Sequence, residues 1–173
     1  MDWEHEIYKL WIAYFVWVRD YIYLLMRRQG NIQYVVEGLD RFINAFVGFW
    51  TQFYGEQNAK QLGNLLQRHI DLLAEYTATL HENEATEPLR GLWYANANDT
   101  AQFLAAQNPN WDEATWRDLL QTQFYLEERL IWTLHNNGYS DTIAQYDDLY
   151  NSVDNIVTYT IDGIKKQFGE TVS

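Results

Sequence analysis

Residues 62–73 read LGNLLQRHIDLL. Leu62, Leu65, Leu66, Leu72 and Leu73 stand three, four or seven positions from His69, so at helical pitch they share one face with it. That spacing predicts an amphipathic helix from about Glu56 to Leu80, and it raises a question about the histidine. On the leucine side of a helix, an imidazole is either a hydrogen-bonded core group or a ligand.

Working outward, apolar residues keep this helical rather than alternating spacing over almost the whole chain, which has only two prolines, Pro88 and Pro109. The expected fold is all-α: an antiparallel bundle of about six helices, four or more of them long, in a single domain over residues 1–173. The first helix is expected from about Trp3 to Gln29, with Leu10, Trp11, Tyr14, Trp17, Val18, Tyr21 and Leu25 on one face and Gly30-Asn31 as its stop. A second, from about Gln33 to Phe53, turns Val36, Leu39, Phe42, Ile43, Phe46 and Trp50 inward and ends at Gly55. After the His69 helix, HENEATE reads as a connection, and a fourth helix spans about Leu89 to Ala106.

The sharpest boundary is AQNPNWDEATW. Pro109 follows one helix, Asp112 can cap the next, and Trp111 with Trp116 forms a hydrophobic staple across the cap. The fifth helix runs to about Leu134. The sixth runs from about Asp141 to Phe168, with Ile143, Tyr146, Leu149, Val153, Ile156 and Ile164 inward and Gly169 at its end.

Hydrophobic residues make up 47% of the 173 and aromatics 17%, enough large apolar surface to drive a packed core. The formal charge of -12 disfavours nucleic-acid phosphates and anionic lipid as partners, leaving a protein partner or self-association. With no cysteine, disulfides, thiolate metal sites and cysteine nucleophiles are excluded. MDWEHEIYK lacks the basic start of an export signal, and Lys9, Arg19 and Asp20 break the apolar run of the first helix, which predicts a buried helix rather than a membrane span. A cytoplasmic location is expected.

No G-x-S-x-G, phosphate loop, H-E-x-x-H or calcium-loop pattern is present. A ferritin-like di-metal site needs Glu-x-x-His on two helices, whereas Leu66 precedes His69 and Trp132 precedes His135 at that spacing. His5, His81 and His135 fall near helix ends and read as surface residues. Arg19 and Asp20 read as a structural ion pair, and Asp147, Asp148 and Asp154 as a solvated face. Tryptophans 11, 17, 93, 111, 116 and 132 have the spacing of core residues rather than of a stacking box. No catalytic residue emerges.

LWIAYFVWVRDYI, FYGEQNAKQLGNLLQRHIDLL, WYANANDTAQFLAAQNPNW and GIKKQF resemble, in the same order, the blocks of a family of small, uncharacterised helical proteins, mainly bacterial. Enzyme names attached to some members, such as glycosyltransferase or acetylglutamate kinase, find no support in the motifs, which hold neither a nucleotide-sugar nor a phosphate site. The family pattern of three histidines and an aspartate on inward stripes resembles a transition-metal site within a bundle.

By that resemblance the four positions fall at Tyr14, His69, Asn98 and Gln123, so only one ligand type survives. Phenol and neutral amides are poor metal ligands but good partners for a buried imidazole. Glu127, one turn beyond Gln123, offers a substitute carboxylate. The resemblance therefore implies a degenerate site: a polar network of Tyr14, Asn98, Gln123 and Glu127 around His69, with no metal and no cofactor. The expected function is a non-catalytic structural or interaction module; the alternative is a small-ligand or metal-binding protein with an aromatic-lined pocket near His69. Divergence of this kind also fits relocation to a viral genome, in which case the virion is the alternative location.

Overall fold

A computed structural model describes residues 3–27 and 30–169. Six helices, α1 (Trp3–Arg27), α2 (Ile32–Tyr54), α3 (Glu56–His81), α4 (Glu87–Gln107), α5 (Glu113–His135) and α6 (Thr142–Phe168), form an all-α bundle, with a short 3-10 turn at Tyr139–Asp141 before the last. The described residues contain no strand. The expected end of the first helix at Gln29 lies outside the described residues.

Short connections between long helices leave each helix antiparallel to its predecessor. Cross-contacts show this directly. Arg90 meets Glu128 and Asn98 meets Gln121 between α4 and α5, while Gln145 meets Thr133 and Asp148 meets Arg129 between α5 and α6. The C-terminal ends of α1, α3 and α5 therefore share one end of the bundle.

α1 packs against α2, α3, α5 and α6, which makes it the hub of the bundle. Its buried residues Trp3, Ile7, Trp11, Tyr14, Val18 and Ile22 advance in steps of four and three, the stripe a helix presents to a core. Leu10, Trp17, Tyr21 and Leu25 flank that stripe and are partly buried against the neighbouring helices. None of the helices among the described residues is long and apolar enough to cross a membrane.

Two inward assignments are corrected. Val36 is 38% exposed, and Val35 takes the inward place on α2. Ile143 is 71% exposed, because the turn at Tyr139–Asp141 sets the phase of α6 so that Thr142 and Gln145 face the core together with Leu149, Val153 and Ile156. Among the tryptophans, Trp132 is 43% exposed and sits on the surface, its indole N–H donating to the Tyr76 hydroxyl at 2.7 Å. Arg19 and Asp20 pair with each other at 2.8 Å, half exposed, with the guanidinium over the Tyr146 ring.

The corner between α4 and α5 has its expected construction. Asp112 adopts extended backbone and its carboxylate accepts from the Thr115 N–H at 2.8 Å, while the Trp111 and Trp116 rings meet edge to face at 5.4 Å. Tertiary contacts then tie it down. The Trp111 indole lies on Gly163 of α6 and donates to the Tyr159 carbonyl at 3.1 Å, and Asn108 donates to the Tyr54 hydroxyl, which donates to Gln167. FYG, NPNW and GIKKQF thus meet at one end of the bundle as packing elements.

Candidate functional site

His69 stands on the leucine face of α3, 3% exposed, its ring against Phe124 with centroids 4.1 Å apart. The Trp93 indole N–H of α4 donates to His69 Nδ1 at 2.8 Å. An indole nitrogen can only donate, so Nδ1 must accept, and the imidazole carries its proton on Nε2. Nε2 lies 2.8 Å from the Tyr14 hydroxyl, which donates in turn to Glu127 Oε1 at 2.7 Å. Gln123 donates to the same carboxylate oxygen at 2.9 Å. One directed chain results, from Trp93 through His69 and Tyr14 to Glu127, with Gln123 converging on the same end.

The chain ends on the Glu127 carboxylate, which is 1% exposed and accepts from Tyr14 and Gln123. Its second oxygen lies 3.1 Å from His69 Nε2 without a hydrogen bond's geometry, because the single Nε2 proton is directed to Tyr14. Burial first, and the adjacent Glu127 second, hold the Tyr14 phenol well above its ordinary range, so it stays a donor.

The structure brings Tyr14, His69, Gln123 and Glu127 together from α1, α3 and α5. Asn98 is the exception. It is exposed and accepts from Gln121 at 2.8 Å on the outer side of the α4/α5 pair. The inward residues of α4 are Trp93, Asn96, Ala97, Thr100, Ala101, Phe103 and Leu104, a stripe of threes and fours that Asn98 falls outside. Asn96 occupies the place expected of Asn98, donating to the Leu65 carbonyl at 3.2 Å. The phase of that stripe was readable in the sequence; the donor role of Trp93 was not, since it depends on how α3 and α4 pair.

A void of about 20 Å³ adjoins the network, lined among others by Trp11, Tyr14, His69, Asn96 and Gln123. That is room for about one water molecule. Trp11 Nε1, Asn96 Oδ1 and Gln123 Oε1 are buried without hydrogen-bond partners within the protein. A second void, lined among others by Gln123 and Glu127, measures about 10 Å³. Among the described residues no three His, Cys, Asp or Glu side chains come close enough to hold a metal ion together.

A second buried carboxylate was not anticipated. Glu128, next to Glu127 and 7% exposed, accepts from Arg90 Nε at 2.7 Å, from the Tyr76 hydroxyl at 3.0 Å and from the Tyr94 hydroxyl at 3.1 Å. Burial, reinforced by the Glu128 charge, pushes the Tyr76 and Tyr94 phenols up to about 12. Adjacent residues on a helix diverge by about 100°, so the two glutamates serve separate networks on two sides of α5. The signal in the sequence was the pair EE at 127–128 set within the apolar spacing of Phe124, Leu130, Ile131 and Leu134.

Set against known protein families, curated proteins and solved structures, the chain matches none.

Proposed function

We propose that the chain is a non-catalytic helical-bundle protein, a structural or interaction module whose interior polar network sets the mutual register of α1, α3, α4 and α5. The observation that carries this reading is closure. His69 and Glu127 are 3% and 1% exposed, and the void beside them, about 20 Å³, admits nothing larger than water. A general base must reach its substrate's proton directly or through one water, and a substrate has no room here. Directional hydrogen bonds among four helices penalise any slip of one helix past another, because each slip strands buried donors and acceptors.

A second reading, a small-ligand or metal-binding protein, draws support from the unpartnered atoms of Trp11, Asn96 and Gln123 around that void. Native mass spectrometry of the freshly purified full chain separates the two. The structural reading expects the bare chain or its multiples, with higher multiples identifying self-association. A stoichiometric metal or small molecule that is lost on His69→Gln and retained on Arg27→Gln would establish the second reading instead.

A further inference from the structure

A further cavity lies away from this network, at the end of the bundle where α1, α3 and α5 terminate. It is an open cleft of about 340 Å³, within the size range of small-molecule sites. Arg27, His81 and His135, the last residues of those three helices, all line it. α3 and α5 end alike. Each finishes on a histidine, and the asparagine two positions on, Asn83 or Asn137, takes left-handed backbone with φ of 58° or 60°.

The chain reversals are closed by equivalent hydrogen bonds, Glu84 N–H to the Thr79 carbonyl and Gly138 N–H to the Thr133 carbonyl. Glycine holds this conformation at less cost and is the usual residue at such helix ends. Asparagine at both keeps a carboxamide, and both asparagines line the cleft.

Basic groups on last turns complement helix dipoles, and that accounts for where Arg27, His81 and His135 sit along their helices. Together with the antiparallel order that gathers these three ends, it also accounts for their convergence; it does not account for an open cleft at that end in which the three basic side chains lack ion-pair partners among the described residues. Among the described residues no Asp or Glu lines it; Glu82 and Asp141 lie near lining residues in sequence but outside the lining. Among the described residues none of the three basic side chains has an ion-pair partner, and His135 Nδ1 is buried without a hydrogen-bond partner. Arg27 lies over the Tyr23 and Tyr139 rings, 5.8 and 5.7 Å from their centroids, which confines the guanidinium at the cleft wall.

We infer that this cleft is a binding site for a small molecule carrying an oxyanion, phosphate or carboxylate. Its polar lining is rich in donors: a guanidinium, two imidazoles, two carboxamides and the phenol of Tyr139, while Met26 and Leu134 offer apolar contact to an organic body and the Tyr23 hydroxyl is taken up by Thr142. The net charge of -12 and the negative C-terminal ends of the three helices both oppose an anion, but the first is screened beyond a Debye length of about 8 Å and the Arg27 guanidinium offsets the second at contact. The site is independent of the reading of the interior network.

The test is an NMR titration of the full chain with inorganic phosphate and, separately, with citrate, each against sodium chloride at matched ionic strength. Saturable shifts of the Arg27 Nε–H and of the His81 and His135 ring signals are expected. Saturation by phosphate alone assigns a phosphate ligand, by citrate alone a carboxylate, and by both the shared chemistry. Arg27→Gln, at an exposed position, is expected to fold normally and to weaken binding by about tenfold or more. Shifts no larger than those with chloride, unchanged affinity in Arg27→Gln, or a response of the two histidines to Zn²⁺ but to neither oxyanion would each overturn the assignment.

Discussion

Trp93 decides the chemistry of His69. By presenting a donor to Nδ1 at 2.8 Å it forbids a proton there, and the rest of the chain of bonds follows from that one constraint. The same accounting separates two asparagines only two residues apart. Asn96 is buried and bonded to the Leu65 carbonyl of α3, whereas Asn98 is exposed and accepts from Gln121. Asn96→Ala is expected to cost about 1 to 3 kcal/mol through lost interhelical bonding and packing, while Asn98→Ala stays within about 0.5 kcal/mol of the parent. Urea denaturation of both variants checks this. A larger loss for Asn98→Ala would mean that α4 is rotated from the orientation described.

At the level of elements, the α4/α5 corner shows a local signal completed by a distant one. Asp112 and the two tryptophans define where α5 starts, but the angle at which it leaves depends on Gly163, a full helix away. A Cβ at Gly163 would fall onto the Trp111 indole, at Nε1 and Cδ1, so alanine there must push the ring off α6 and break its bond to the Tyr159 carbonyl. Gly163→Ala is expected to destabilise the fold by about 1 to 3 kcal/mol, the cost of overpacking a dense core, even though alanine is the better helix former. Trp111 fluorescence should shift to the red in parallel as its ring becomes solvated. A thermal melt that rises or stays put would show that the corner tolerates the added methyl.

For the molecule as a whole, the network around His69 joins α1, α3, α4 and α5, so its partners can be re-specified without moving helices. Tyr14 and Gln123 both touch Glu127, and Tyr14 touches His69. Tyr14→His with Gln123→His would place three imidazoles and a carboxylate about one point, a donor set suited to tetrahedral zinc. The double variant is expected to gain thermal stability with Zn²⁺, on the order of 2.7 kcal/mol at a free concentration a hundredfold above the dissociation constant. The parent is expected to gain little, and adding Asn98→Asp should change nothing because that residue faces outward. A folded double variant indifferent to zinc would refute the common-point geometry.

The sequence by itself determined the number of helices, most of their limits, the capped corner at Asp112 and the inward position of His69. All of these follow from spacing and caps, and those act within a few residues along the chain. Tertiary structure decided the rest. It chose Trp93 as the donor to His69, gave Glu128 its own partners, turned Ile143 outward and drew Arg27, His81 and His135 to one cleft. Such outcomes depend on how each helix is rotated about its axis and on which distant helix it meets. Moving two residues along a helix turns a side chain through about 200°, which is the whole difference between Asn98 on the surface and Asn96 in the core.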